Sequence, residues 1–307
     1  MQAIIDLGTN TFHLLIAEIK NGILYENYQM QIPVKIGKGG INNGYITDES
    51  FERGMFALKQ FAQTIEAFQI REVKAIATSA IRNAVNGEAF MEAAKERYGI
   101  TIEIISGEKE AELIFKGASK SFKLPDENIL VMDIGGGSVE FILAKKQELI
   151  WSYSFEIGAA RLLEKFCPSD PITPEETTQI KLYLKEQLQP LTDILYEYPV
   201  RKLVGTAGSF ETLVDVVLKD FQTVPVSLSK NAHSIPINLF DLFYALMMES
   251  KIEQRSKLRG LIDFRIDMIV VSTLLMHYCV EQYEIEEIIV SNYALKEGIL
   301  FEGIQIR

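Results

Sequence analysis

One phrase, written twice, constrains this chain more than any other feature. Ile4-Ile5-Asp6-Leu7-Gly8-Thr9-Asn10-Thr11 stands near the start, and Val131-Met132-Asp133-Ile134-Gly135-Gly136-Gly137-Ser138 stands 127 positions later. Each copy is an apolar run, then Asp-x-Gly, then small residues, after which the chain turns apolar again through Phe12–Ala17 and Val139–Ala144. That pattern reads as strand, tight turn, strand. Such a turn exposes consecutive backbone N–H groups that can wrap a phosphate. The aspartates at the strand ends, Asp6 and Asp133, can hold a divalent cation directly or through water. Two such turns, one per half, predict two domains facing each other across a phosphate-binding cleft.

At 307 residues the chain is long enough for two cores, and its 48% hydrophobic and 24% charged content is that of a globular protein. No apolar run reaches the ~20 residues needed to cross a bilayer, and no signal peptide is visible at the start. Cys167 and Cys279 make neither a disulfide framework nor a metal spacing. A cytoplasmic protein is expected. The net charge of −11 argues against nucleic acid as a partner. It leaves room for a phosphate substrate, provided local donors and a cation overcome the global field. His13, His233 and His277 are too scattered for a histidine metal site.

Strands are expected at 2–7, 12–19, 22–29, 73–78 and 101–105, and helices at 48–69, 87–97 and 108–122. The 48–69 helix carries a stripe at Phe51, Met55, Leu58, Phe61, Ala62 and Ile65. The polar segment Lys123–Asn128 places a domain boundary after residue 122, giving domains 1–122 and 123–307. The second half restarts with strands near 129–133, 138–145 and 148–156 and a helix at 158–166. A helix capped by Thr173 begins at Pro174. A strand at 200–205, helices at 208–219 and 266–282, a strand at 286–291 and a terminal helix at 293–303 follow. The strand-strand-strand-helix-strand-helix order occurs twice, an internal duplication, and the terminal helix is free to pack back on the first domain.

Three glycines in a row at 135–137 give up packing and conformational entropy, which makes sense where a ligand needs bare backbone. Gly205-Thr206-Ala207-Gly208-Ser209 is a third small-residue turn opening a helix, either an anion site at Gly208 and Ser209 or a plain strand-to-helix connection. Glu108, Glu110 and Glu112 open the helix near 108. They complement its dipole, but Glu110 heads a row with Leu113, Ile114 and Gly117 and so points toward protein, as a general base can. Arg82 follows a strand end, where it can clamp a phosphate or make a structural salt bridge.

The segments AIIDLGTNTFHLLIAEI (3–19), ATSAIRNAVNGEAF (77–90), IEIISGEKEAELIFKGA (102–118), ILVMDIGGGSVEFIL (129–143), LVGTAGSFETL (203–213) and ALKEGILFE (294–302) lie in order along the chain. Together they resemble the exopolyphosphatase / guanosine pentaphosphate phosphatase family of the actin-like ATPase superfamily. The resemblance implies an α/β protein of two actin-like (ribonuclease H-like) domains flanking the active-site cleft. It also implies that Glu110 activates the attacking water. Asp133 and Glu140 would serve the metal and water network, with Glu140 also catalytic, and Arg82 would bind phosphate. The phosphate loops carry over to Gly8, Thr9, Asn10, Thr11 and to Gly135, Gly136, Gly137, Ser138. Where the family commonly has Arg, this chain has Lys296, which loses the bidentate fork and puts that position's ligand role in doubt. The C-terminal HD-type domain of longer members is missing, which leads to the expectation of weak processivity.

The expected function is Mg²⁺-dependent release of terminal orthophosphate from inorganic polyphosphate, with Mn²⁺ as a substitute cation. Lys35, Arg82 and Arg265 are candidates to grip the chain, and a homodimer is expected. The alternative substrate is the 5′ end of guanosine pentaphosphate. Two readings from other classes are an actin-like-fold sugar kinase and a noncatalytic polyphosphate or alarmone sensor.

Overall fold

The computed structural model describes residues 1–302. The chain opens with an antiparallel meander of β1 (Gln2–Leu7), β2 (Thr11–Lys20) and β3 (Ile23–Pro33). Then come α1 (Asp48–Ala67), β4 (Val73–Ala77), the one-turn α2 (Ser79–Arg82), α3 (Gly87–Tyr98), β5 (Ile102–Ile104) and α4 (Gly107–Ser121). A second meander follows: β6 (Asn128–Ile134), β7 (Val139–Lys145) and β8 (Glu148–Phe155). Helices α5 (Ala159–Phe166), α6 (Pro174–Gln187) and α7 (Gln189–Glu197) lead to β9 (Lys202–Thr206) and α8 (Ala207–Lys219). The hairpin β10 (Val226–Ser229) and β11 (Ala232–Pro236), then α9 (Ile237–Glu249), α10 (Ile252–Arg255) and α11 (Ile269–Gln282), precede β12 (Glu287–Ser291) and α12 (Leu295–Glu302).

Two sheets result, ordered β3-β2-β1-β4-β5 and β10-β11-β12-β9-β6-β7-β8. Counted outward from β1 and from β6, they share one plan. A meander lies on one side and two parallel strands lie on the other. The second sheet adds the β10–β11 hairpin at its edge. The fold is thus mixed α/β with two actin-like units.

Strand alternation divides the core into three layers. Ala3, Ile5 and Leu7 pack with α1 and α3, and Leu130, Met132 and Ile134 pack with the helices of the second half. The intervening residues Ile4, Val131, Val204 and Ile289 face a middle layer shared with Ile114 of α4 and Ile299 of α12. Central strands buried on both faces read as continuous apolar runs, which is why both phrases begin that way.

In that middle layer α4 and α12 cross at two glycines. A Cβ on Gly117 would lie 2.0 Å from the Ala294 carbonyl oxygen, and one on Gly298 would lie 1.8 Å from that of Leu113. Each glycine therefore meets the residue four before the other, a crossing with its own approximate twofold. Only bare backbone fits at that distance.

The patterning carries no expectation for residues 220–265, where the structure forms β10, β11, α9 and α10. The β10 strand alternates Ser with Val or Leu and is mostly exposed, and β11 buries Ala232 and Ile235 at a spacing that breaks strand alternation, so neither reads as a strand with one buried face. Among the described residues no helix is long and apolar enough to cross a membrane.

Candidate active site between two phosphate turns

The two turns are built alike and consume their own carbonyls. In each, the opening glycine packs against a carbonyl three residues on. A Cβ on Gly8 would lie 2.9 Å from the Thr11 oxygen, and one on Gly135 would lie 3.0 Å from that of Ser138. The Asn10 carbonyl accepts from the N–H groups of Val34 and Lys35, and that of Thr9 from Gly37. The Gly135 and Gly136 carbonyls accept from the first turn of α5, through Ala159, Ala160 and Arg161, and that of Gly137 accepts from the Gly158 N–H. Among the described residues no acceptor is recorded for the N–H groups of Thr9, Asn10, Gly136 or Gly137. Donors left over in consecutive turn residues form an anion cradle. The turns also touch: a Cβ on Gly136 would lie 3.0 Å from that of Thr9.

Between the turns lies a cavity of about 160 Å³. Its wall includes Gly8, Thr9, Asn10, Thr11 and Gly135, Gly136, Gly137, Ser138, together with Asp6, Asp133 and Glu110. The third turn closes one side with Gly208 and Ser209. Ala207 there has φ +66°, a left-handed conformation that costs a residue with a Cβ roughly 1–2 kcal/mol. Arg265, also in the wall, donates to the Gly208 carbonyl at 2.6 Å and pairs with Glu211 at 3.1 Å.

The strand register makes the charge layout legible. Asp6 faces His13 across β1 and β2, and Asp133 faces Glu140 across β6 and β7. The repeat therefore sets His13 where its counterpart has Glu140. At one pole Glu140 joins Glu110 from α4. Burial, then the neighbouring Glu140 charge, pushes the Glu110 carboxyl well above its ordinary range. Burial and Asp133 raise Glu140 to about 7, against hydrogen bonds from Ser154 (2.7 Å) and Ser138. At the other pole His13 joins Lys296 from α12. Burial and the Lys296 charge hold His13 well below the usual imidazole range, so it is neutral. Burial opposes the Lys296 charge, but Glu297, Asp6, Glu211 and Asp133 outweigh it, and the ammonium is retained. Asp6 and Asp133 lie between the poles, raised to about 7 and about 6, first by burial. Thr206 donates to Asp133 at 2.6 Å.

Arg82 pairs with Glu110 at 2.8 Å and donates to the Ile105 carbonyl at 3.1 Å. Both side chains are largely buried. Arg82 and Glu140 stand behind the wall, not in it. Lys35 lies outside the wall and pairs with Asp267 at 2.8 Å, joining the two halves. His13, Lys296, Glu211, Ser272 and Asn292 line the cavity without having been singled out as ligands from sequence. His13 and Lys296 had a signal, the offset between repeats and the departure from the usual arginine. Glu211, Ser272 and Asn292 had none, because only the fold brings their elements to the turns.

Two nearly identical cradles, a buried carboxylate pair and oxygen ligands in one cleft form an arrangement for handling a phosphoryl group. Comparison with known proteins gives the same direction. The chain is 31% identical, over 99% of its length, to the bifunctional 3-dehydroquinate synthase/phosphatase of Fusobacterium nucleatum, of which it spans about half, 47%. A crystal structure of an exopolyphosphatase from Cytophaga hutchinsonii matches with a TM-score of 0.94 at 34% identity, covering 99% of this chain and 98% of that one. The Ppx-GppA enzyme of Aquifex aeolicus matches with a TM-score of 0.78 at 29% identity, covering 98% of each chain. The Ppx/GppA phosphatase family model matches residues 15–305, and the chain belongs to that family.

Proposed function

We propose that the protein hydrolyses the terminal phosphoanhydride of inorganic polyphosphate and releases orthophosphate. The observation that carries this reading is Glu110, a buried carboxylate in the cavity wall beside both phosphate turns. Its raised affinity for a proton suits a base working near neutral pH. In this reading the free N–H groups of Thr9, Asn10, Gly136 and Gly137 hold the terminal phosphoryl oxygens. Glu110 orients a water toward phosphorus and takes its proton, and the Glu140 charge behind it keeps Glu110 basic. Arg82 holds Glu110 in place and offers a second guanidinium edge to phosphate. Lys296 and Arg265 offset charge on the leaving side.

The donor set facing the cavity fits a hard cation. Asp6 and Asp133 offer only oxygen, and among the described residues no group of three or more His, Cys, Asp or Glu forms a complete metal site. Mg²⁺ characteristically takes one or two carboxylates, several waters and substrate phosphate oxygens, and Mn²⁺ shares that preference. Asp133 and Asp6 would hold it, with Glu140 supporting from behind. Bound there, such an ion supplies neutralisation of charge on the reacting phosphoryl group.

The lining beside the two turns would meet a phosphoanhydride end, whatever carries it. A guanosine pentaphosphate 5′ end presents that same group, so the inner site favours neither substrate. The test is phosphate release from polyphosphate, guanosine pentaphosphate and ATP in parallel, with and without Mg²⁺. Release from either of the first two with a Mg²⁺ requirement supports a phosphoanhydride hydrolase. Phosphate transfer from ATP to a sugar would make the protein a kinase. Tight binding without release would make it a sensor.

A further inference from the structure

Outside the cavity, three donors from both halves of the molecule converge on one carboxylate. Ser79 Oγ donates to Glu156 Oε2 at 2.9 Å, and Arg161 Nη2 meets the same oxygen at 2.5 Å. Arg82 Nη2 stands 3.8 Å from the other oxygen, Oε1. Ser79 and Arg82 belong to α2 in the first half, whereas Glu156 and Arg161 flank the start of α5 in the second. The arginines are largely buried, at 14–15% exposure, but Glu156 is 43% exposed. The donors are thus fixed by the fold, and their acceptor borders solvent.

Each arginine is pinned by its other nitrogens. Arg161 donates from Nε to the Gly137 carbonyl at 3.0 Å and from Nη1 to the Ile41 carbonyl at 2.9 Å. Arg82 uses Nη1 on Glu110 and on the Ile105 carbonyl. The edges they present to Glu156 are therefore preorganised. Two guanidinium edges and a hydroxyl around one anion is a recognised way to hold a phosphate oxyanion. The cluster also adjoins the second phosphate turn. A Cβ on Gly137 would lie 2.6 Å from both Ser79 Oγ and the Thr9 hydroxyl. Thr9 lines the cavity, so one glycine separates the cavity from the cluster.

We propose that Ser79, Arg82 and Arg161 form a second phosphate-oxyanion subsite at the seam between the two halves, with the Glu156 carboxylate as its resident stand-in. A phosphate oxyanion entering the seam displaces Glu156 toward solvent and takes over its hydrogen bonds. The occupant is either the next phosphoryl group of the substrate or the orthophosphate product, which present the same oxygens. The proposal rests on the phosphohydrolase reading for its ligand, but its test does not depend on turnover.

The experiment measures orthophosphate binding by titration calorimetry, and tripolyphosphate kinetics, for the intact protein and for Glu156→Gln, Arg161→Gln and Arg161→Lys. Gln at 156 keeps a hydrogen-bonding shape and removes the competing charge. It is expected to tighten phosphate binding by roughly tenfold, in line with the strength of a charge-assisted hydrogen bond. Arg161→Gln is expected to weaken it by a similar factor, with Lys recovering part. If only the orthophosphate affinity moves, the subsite holds product. If only the tripolyphosphate KM moves, it holds the second phosphoryl group. Unchanged affinity for both ligands in folded Glu156→Gln and Arg161→Gln proteins overturns the proposal. Absence of turnover on every substrate, with orthophosphate binding still responding to position 156, overturns the hydrolase reading and leaves the subsite standing.

Discussion

At the scale of single residues, Glu110 carries the sharpest expectation. Glu110→Gln keeps the shape and the contact with Arg82 but removes the carboxylate proposed as base. Turnover is expected to fall by ~10²–10⁴-fold with KM little changed. Steady-state phosphate release measures this, and near-normal turnover would remove Glu110 from the chemistry. The raised carboxylates also set a pH dependence. Asp6 and Glu140 bind a proton more tightly in the folded protein, at about 7, than in the unfolded chain, at about 4. Their contribution to stability is therefore greatest when they are protonated, and it is lost as pH rises from about 4 toward 7. Glu140→Gln should flatten the fall in Tm between pH 5.5 and 7.5 and raise Tm at pH 7.5. A slope equal to that of the parent protein would show that the burial cost lies elsewhere. Ala207 adds a third test. Glycine accepts φ +66° freely, so Ala207→Gly should stabilise by about 1 kcal/mol in urea unfolding. Glu110 was legible because helical spacing aims it inward. Arg161 was not, because its role depends on Gly137 and Ile41, which only the fold brings to it.

At the scale of elements, the crossing of α4 and α12 is the most demanding contact. Gly→Ala in an open helix ordinarily stabilises by about 1 kcal/mol. Here Gly298→Ala would place a methyl 1.8 Å from the Leu113 carbonyl oxygen. The helices must separate, and a loss of about 2 kcal/mol or more is expected from overpacking. Gly117→Ala should behave alike, and a stabilised variant at either position would contradict the crossing geometry. Most elements were readable because their burial is periodic, as along α1 at Met55, Leu58, Phe61 and Ile65. The β10–β11 hairpin was not, because Val226 and Leu228 are exposed and β10 exists only by pairing with β11 at the sheet edge. The two phosphate turns were readable as a pair and only as a pair, since Gly-Thr-Asn alone is an ordinary hairpin turn.

At the scale of the whole molecule, the two sheets meet through few polar contacts around the cleft. Lys35 bonds Asp267, the Gly39 N–H donates to Glu164, Asn42 donates to the Arg161 carbonyl, Arg161 reaches the Ile41 carbonyl, and Ser79 and Arg82 meet Glu156. Several of these contacts involve side chains that are substantially exposed, and exposed pairs contribute little, typically under about 1 kcal/mol each. An open form of the ligand-free protein is therefore expected, with a ligand touching both turns favouring the closed one. Asp267→Ala combined with Glu164→Ala is expected to enlarge the radius of gyration in small-angle scattering, and a nonhydrolysable polyphosphate analogue should restore the compact value. Identical scattering curves throughout would show that the apolar middle layer alone keeps the halves together.

If the proposed mechanism holds, the unequal sides of an otherwise repeated frame give the reaction a handedness. Glu110 lines the cavity with Glu140 behind it, and His13 and Lys296, which also line it, occupy the related places of the other half. In the proposed mechanism water is activated from the Glu110 side, so attack on phosphorus is expected from a single face, in line with a leaving oxygen on the opposite side. One displacement from one face inverts the centre. A terminal phosphorothioate made chiral with two oxygen isotopes and hydrolysed in water carrying the third should release thiophosphate of inverted configuration, and retention would contradict a single in-line displacement.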